Sequence, residues 1–78
     1  MKQYLLYIGD AWLSNSSLQL LAVCTSIEKA VQLGQVYSKK NHLHIDESDW
    51  YELKVNRQTY GYNNNLMIQP INVDELDV

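Results

Sequence analysis

Residues 25–40 read TSIEKAVQLGQVYSKK and form the most complete structural signal in the chain. Thr25 and Glu28 have the spacing of a capping box, which predicts that a helix begins there. At 100° per residue the apolar side chains collect on one side of this helix and the charged side chains on the other. Asn41 is the expected left-handed residue that ends it. The helix must therefore bury one side against another element.

Two candidate strands precede the helix. Residues 3–8, QYLLYI, are a short apolar run closed by Gly9 and Asp10, and residues 17–24, SLQLLAVC, are a second run. The segment between them is rich in Ser, Asn and Asp, which favours a connecting loop. These features predict an antiparallel β-hairpin.

A third strand is predicted by alternation of apolar and polar residues after the helix. The acidic residues 46–49 suggest a turn, and residues 50–55, WYELKV, then alternate with a period of two. In such a strand Tyr51, Leu53 and Val55 face the core, and Trp50, Glu52 and Lys54 face outward.

Residues 66–73, LMIQPINV, are the last strand candidate. Pro70 has no N–H for a ladder hydrogen bond, so we expect this strand to lie at an edge of the sheet or to bend there. Residues 73–78 are expected to be a frayed acidic tail or a short final turn.

Together these elements predict one small α+β domain over residues 1–78, with the order β-β-α-β-β. The expected architecture has two layers, an antiparallel sheet of about four strands with the amphipathic helix on one face. Ala30 and Gly34 lie one turn apart on the apolar side of the helix, so the helix is expected to approach the sheet closely.

The composition points to a folded chain in a reducing compartment. Hydrophobic residues make up 46% of the 78 residues and charged residues only 19%, which is not typical of disorder. A single cysteine allows no disulfide within the chain. Because no apolar run is long enough for a signal peptide or a membrane span, we expect a cytoplasmic protein that does not bind membranes.

Charge is distributed unevenly along the chain. Residues 1–42 carry four lysines and two acidic residues, whereas residues 43–78 carry seven acidic residues against Lys54 and Arg57. No basic patch is present, which argues against direct binding of nucleic acid. One alternative function is therefore that of an acidic mimic that inhibits a nucleic-acid-binding protein.

The aromatic residues suggest the leading function. The chain has six tyrosines and two tryptophans but no phenylalanine, so every aromatic side chain also carries a polar group. Tyrosine, glycine and asparagine, as in the segment YGYNNN at residues 60–65, are typical of binding loops. We therefore expect a non-enzymatic accessory or regulatory protein, a homodimer without a cofactor, that binds another protein. The expected protein-binding residues are Trp12, Trp50, Tyr60 and Tyr62.

Two other groups of residues have chemical potential. His42, His44 and Asp46 would project from the same side of an extended segment, so a metal-binding or small-ligand module is an alternative. Cys24 precedes the helix N-terminus, where a thiol pKa can fall, although free cysteines are more often small buried hydrophobes.

Overall fold

The computed structural model describes residues 2–61 and 64–72 of the chain. Within these ranges the fold is α+β, with a three-stranded antiparallel sheet and two α-helices. The elements in chain order are β1 (Lys2–Asp10), a short 3-10 turn (Asn15–Ser17), β2 (Gln19–Cys24), α1 (Ile27–Lys40), α2 (Glu47–Asn56) and β3 (Asn64–Asn72). The predicted tail at residues 73–78 lies outside the described residues.

Strand β1 is the centre of the sheet, and the strand order is β2-β1-β3. Both neighbours run antiparallel to β1, so the predicted hairpin between β1 and β2 is confirmed. The register places Tyr4 of β1 opposite Cys24 of β2 on one side and opposite Pro70 of β3 on the other. Leu21 is an extra residue in β2, where the register shifts beside Leu6 and Tyr7 of β1.

Both helices contribute to the core on one face of the sheet. The side chains that alternate toward this face of β1 and β3 pack with residues of α1 and α2, as expected for a two-layer fold. The buried core residues are Leu6, Ile8, Cys24, Ala30, Leu53, Leu66 and Ile68. A Cβ atom added at Gly34 would lie 3.2 Å from Leu66 Cδ1, so Gly34 permits the predicted close approach of α1 to the sheet.

The start of α1 differs by one residue from the prediction. Ser26 is the N-cap, and its Oγ accepts a hydrogen bond of 3.1 Å from the backbone N–H of Lys29. The predicted capping box on Thr25 is therefore wrong, because the serine one position later satisfies the free N–H groups of the first turn.

The end of α1 also shifts by one residue. Asn41 has φ of −104°, so it is not the left-handed residue, whereas His42 has φ of 56°. The N–H of Leu43 donates to the carbonyl oxygen of Ser38 at 2.9 Å, and the N–H of His42 donates to that of Lys39 at 3.4 Å. These two bonds form a Schellman motif, in which the left-handed residue follows the C-cap.

The strand predicted at residues 50–55 is wrong, because this segment belongs to helix α2. The backbone carbonyl of Asp46 accepts hydrogen bonds from the N–H groups of Asp49 and Trp50, and Arg57 ends the helix with φ of 66°. Leu53 is fully buried, as predicted, but Tyr51 is 65% exposed. In a helix, side chains three or four residues apart share a face, so Trp50 packs against the core together with Leu53. Tyr51 and Val55, two residues from Leu53 on either side, are exposed.

The predicted sheet of about four strands has three strands in the described residues, because the segment predicted as the third strand is helical. Beside β3, residues 57–59 make a single isolated bridge between Gln58 and Met67. The N–H of Ile68 donates to the carbonyl of Arg57 at 2.8 Å, so the backbone polar groups of Ile68 point away from β1. The backbone polar groups of Pro70, two residues further along the strand, also point away from β1. Pro70 thus lies in an edge strand, as predicted, and its missing N–H removes no bond to β1.

Neither helix of the described ranges has the length and apolarity that a membrane crossing requires.

Candidate functional site

The loop between β1 and β2 is organised by the side chain of Asp10. Its Oδ1 accepts hydrogen bonds from the backbone N–H of Trp12 at 3.0 Å and of Ser14 at 3.1 Å, and its Oδ2 accepts the Ser14 hydroxyl at 2.7 Å. The backbone N–H of Asp10 donates to Ser17 Oγ at 3.0 Å. Hydrogen bonds to a carboxylate favour its charged form. Those from Ser14, the hydroxyl foremost, hold the pKa of the Asp10 carboxyl below its ordinary value of 3.8.

Trp12 projects from this ordered loop into solvent. Its side chain is 87% exposed, although its backbone is fixed by Asp10. The next residue, Leu13, has φ of 51°, a left-handed conformation that is unfavourable for a residue with a Cβ atom. Leu13 and Leu18 lie against Gly9, where an added Cβ would be 3.2 Å and 3.0 Å from their nearest methyl carbons. The loop therefore packs its two half-buried leucines against Gly9 and leaves the tryptophan outside.

Asn65 joins this loop to the segment before β3. Only 2% of Asn65 is exposed, and its Nδ2 donates to the carbonyl of Ala11 at 2.8 Å and to that of Gly61 at 3.2 Å. Its Oδ1 accepts the hydroxyl of Thr59 at 2.9 Å and the backbone N–H of Gly61. The Thr59 Oγ1 in turn accepts the backbone N–H of Leu66 at 2.9 Å. One buried amide thus holds two surface loops at the same end of the sheet.

Tyr60 lies on the second of these loops. It is 58% exposed, and its backbone N–H donates to Asp49 Oδ1 at 3.4 Å. The structure therefore brings the backbone beside Trp12 and the backbone beside Tyr60 together through Asn65. Tyr62 lies outside the described residues.

Trp50 is not where the alternation predicted it. It lies on α2, half-buried against the core, and not on the outward face of a strand. Its Cζ3 atom is 3.5 Å from the Cβ position of Gly34, so its ring packs against α1. A contact between Trp50 and a partner stays a prediction.

A pocket of about 370 Å³ opens beside Tyr60. It is lined by the segment that connects the two helices, by Asp49 in the first turn of α2, and by residues near the start of β3. Its half-buried apolar residues, Leu43 and Ile45, also pack against the core. The lining residues are His42, Leu43, His44, Ile45, Asp46, Asp49, Tyr60, Gly61 and Asn64.

The structure does not bring His42, His44 and Asp46 together as metal ligands. In the part of the chain that is described, no three His, Cys, Asp or Glu side chains are placed where they could hold a metal ion. The prediction assumed an extended segment, in which alternate side chains share one side. His42 is instead the left-handed residue that ends α1, and Asp46 is the N-cap of α2.

Cys24 is buried at the end of β2 in the core. Burial raises the pKa of its thiol, and the nearby positive charge of Lys29 offsets only part of this rise. The thiolate is the reactive form of cysteine. This environment corresponds to the expectation of a small buried hydrophobe and not to that of an activated nucleophile.

Comparison with known proteins identifies no relative of this chain. No protein-family model matches the chain, and no curated protein and no solved structure shows a significant match to it.

The sequence suggested Trp12 and Tyr60 as candidates, and their role in binding stays a prediction. It did not point to the residues that hold their loops. Asn65 belonged to a run of three asparagines that suggested a binding loop or a turn and not a buried residue. The signal for Asp10 was available, since an aspartate followed by serines is typical of side-chain bonds to the backbone of a turn.

Proposed function

We propose that this chain is a non-enzymatic protein-binding domain that contacts its partner through the aromatic loop surface, which comprises Trp12 and Tyr60. The single observation that carries the proposal is the 87% exposure of Trp12 on a loop whose backbone is fixed by Asp10. Tryptophan and tyrosine dominate the binding energy of many protein interfaces.

The order of the loop supports this interpretation. A loop that is already fixed loses little conformational freedom on binding, so more of the contact energy remains as affinity. The three hydrogen bonds to the Asp10 carboxylate and the Asn65 bond to Ala11 provide this order. The left-handed backbone at Leu13 is a strain that the surrounding hydrogen bonds maintain.

The pocket beside Tyr60 adds a concave area to the aromatic loop surface. Its lining includes the apolar side chains of Leu43 and Ile45, which suit an apolar side chain of the partner, and polar groups that can form hydrogen bonds. Tyr62, which lies outside the described residues, belongs to the proposed surface on the basis of sequence alone. The single cysteine is in keeping with a cytoplasmic, reducing setting.

The alternative of an acidic mimic has less support. Three of the seven acidic residues in the second half, Asp74, Glu75 and Asp77, lie outside the described residues. Among the others, Asp49 accepts a hydrogen bond from the Tyr60 backbone. We therefore favour recognition by the aromatic loop surface.

The experiment is an affinity capture from lysate of the source cell with three versions of the purified chain: wild type, Trp12→Ala and Tyr51→Ala. Tyr51 is the matched control, because it is an exposed aromatic residue on α2 outside the proposed surface. A captured protein is then purified, and its dissociation constant is measured by calorimetry. We expect Trp12→Ala to weaken binding by about 30-fold or more and Tyr51→Ala to change it less than about threefold.

The proposal is overturned if no protein binds wild type, or if the bound protein has the same affinity for wild type and Trp12→Ala. Circular dichroism of all three chains confirms that a loss of binding does not come from unfolding.

A further inference from the structure

The face of the sheet opposite the helices carries apolar side chains from all three strands. Core residues such as Leu6 and Ile68 point toward the helices, so the residues that alternate with them point to the other side. The strand register then places one row from each strand side by side on this second face. We call these residues the open face: Leu5, Tyr7, Leu20, Val23, Met67 and Ile71.

None of these six side chains belongs to the core that the helices cover. Leu20 is 49% exposed and Val23 is 53% exposed, both on the edge strand β2. The other four side chains are half-buried. At one end of the face Gly9 is covered by Leu13 and Leu18 of the loop. Contiguous apolar patches of several hundred Å² on a small protein commonly mark an interaction site.

The open face carries no charge in the part of the chain that is described. Its remaining positions in β1 and β3 are Gln3, Gly9, Asn65 and Gln69. A neutral apolar surface offers nothing to a strongly charged partner, but it matches a copy of itself without repulsion between like charges. The charges that make the chain net negative, at −3, are carried by other residues.

The area of the face suits a weak dimer. With a rise of about 3.4 Å per residue and about 4.8 Å between strands, the sheet has a footprint of roughly 400 Å². Two copies then cover at most roughly 800 Å² of footprint, which is the size of a weak contact and lies below that of standard specific interfaces.

We propose that the open face is where a second copy of this chain docks, face to face, about a two-fold axis. This inference is independent of the aromatic loop surface, which lies at the end of the sheet. In a two-fold interface each residue occurs twice, so one substitution changes the contact at two places.

The first experiment is sedimentation equilibrium on wild type, Val23→Lys and Val36→Lys over micromolar to millimolar concentration. Val36 is the matched control, because it is an exposed valine on α1, which lies on the other side of the sheet. We expect a wild-type dimer with a micromolar dissociation constant, at least a 30-fold weaker dimer for Val23→Lys, and an unchanged dimer for Val36→Lys. If Val23→Lys fails to fold, Leu20→Glu on the same face takes its place.

The proposal is overturned by a wild-type chain that stays monomeric at millimolar concentration, and equally by a dimer that neither substitution on the open face weakens.

The second experiment identifies the occupant directly. Photomethionine replaces both methionines, Met1 and Met67, and chains with light and heavy nitrogen are mixed and irradiated. Only the crosslinks that start at Met67 are evaluated. Crosslinks from Met67 to β1 or β2 of a differently labelled chain support the proposal. Crosslinks from Met67 only within its own chain, for example to residues 73–78, overturn it, since the face is then covered by the same molecule.

Discussion

The side-chain amide of Asn65 donates a hydrogen bond of 2.8 Å to the backbone carbonyl of Ala11, 54 positions earlier in the chain. Through this bond and those to Gly61, the same buried side chain holds both loops of the aromatic loop surface. Binding residues on loops depend on such a scaffold for their position.

Asn65→Ala is expected to destabilise the fold by about 2–4 kcal/mol, because it leaves the buried Thr59 hydroxyl and the half-buried backbone groups of Gly61 and Ala11 without their partner. Urea denaturation measures this change. The matched control is Asn64→Ala, which removes an exposed side chain with one bond of 3.2 Å to the Gly9 carbonyl and is expected to lose less than about 1 kcal/mol. Equal losses for the two variants would contradict the role of Asn65.

Asp10 is expected to make stability depend on pH in the acidic range. Because its pKa in the folded state is lowered, its contribution is present above the unfolded value and is lost as the pH falls through the folded pKa. The difference in urea midpoint between wild type and Asp10→Asn should therefore be full at neutral pH, shrink below pH 3.8 and vanish once the folded carboxyl is protonated.

An NMR titration of the Asp10 carboxyl carbon tests the cause of that shift. Ser14→Ala removes the side-chain bond that is its largest cause, so the pKa of Asp10 should rise toward 3.8 in this variant. A pKa that Ser14→Ala leaves unchanged would refute this assignment.

The two tryptophans are expected to contribute very differently to the free energy of unfolding. Trp12→Ala should change the free energy of unfolding by less than about 0.5 kcal/mol, because the side chain is exposed and its backbone bond to Asp10 remains. Trp50→Ala should lose about 2–3 kcal/mol, because the ring packs against α1 and the core. Thermal or urea unfolding of both variants measures this contrast. A destabilised Trp12→Ala chain would mean that the ring is part of the core.

Cys24 should react slowly with iodoacetamide at pH 8. Its thiol is buried and its pKa is raised, so alkylation requires the local structure to open. Mass spectrometry is expected to show labelling at least about tenfold slower in the folded chain than in 8 M urea. Labelling at the same rate in both states would show that the thiol is accessible in the folded protein.

Several elements were predictable because their signals are local. An amphipathic pattern over four turns identifies α1 within one residue, and two apolar runs around a polar loop identify the hairpin of β1 and β2. The missing N–H of Pro70 correctly places β3 at the sheet edge. The two ends of α1 were misplaced by one residue because Ser26 and His42, next to the expected caps, have the required backbone conformations.

The segment that became α2 shows the limit of local reasoning. Six residues that alternate can also form a helix with one buried stripe, and the period alone does not distinguish the two. Leu53 and Trp50 bury against Gly34 and the sheet only if the segment is helical.

The sequence by itself determined the α+β class, the hairpin, the first helix and the edge position of β3, because each depends on residues close together in the chain. Only the tertiary structure decided that residues 47–56 are helical, that Trp50 packs inward while Trp12 stays exposed, and that Asn65 is buried. These outcomes depend on contacts between residues that are distant in sequence, such as Asn65 and Ala11, and no local pattern encodes them.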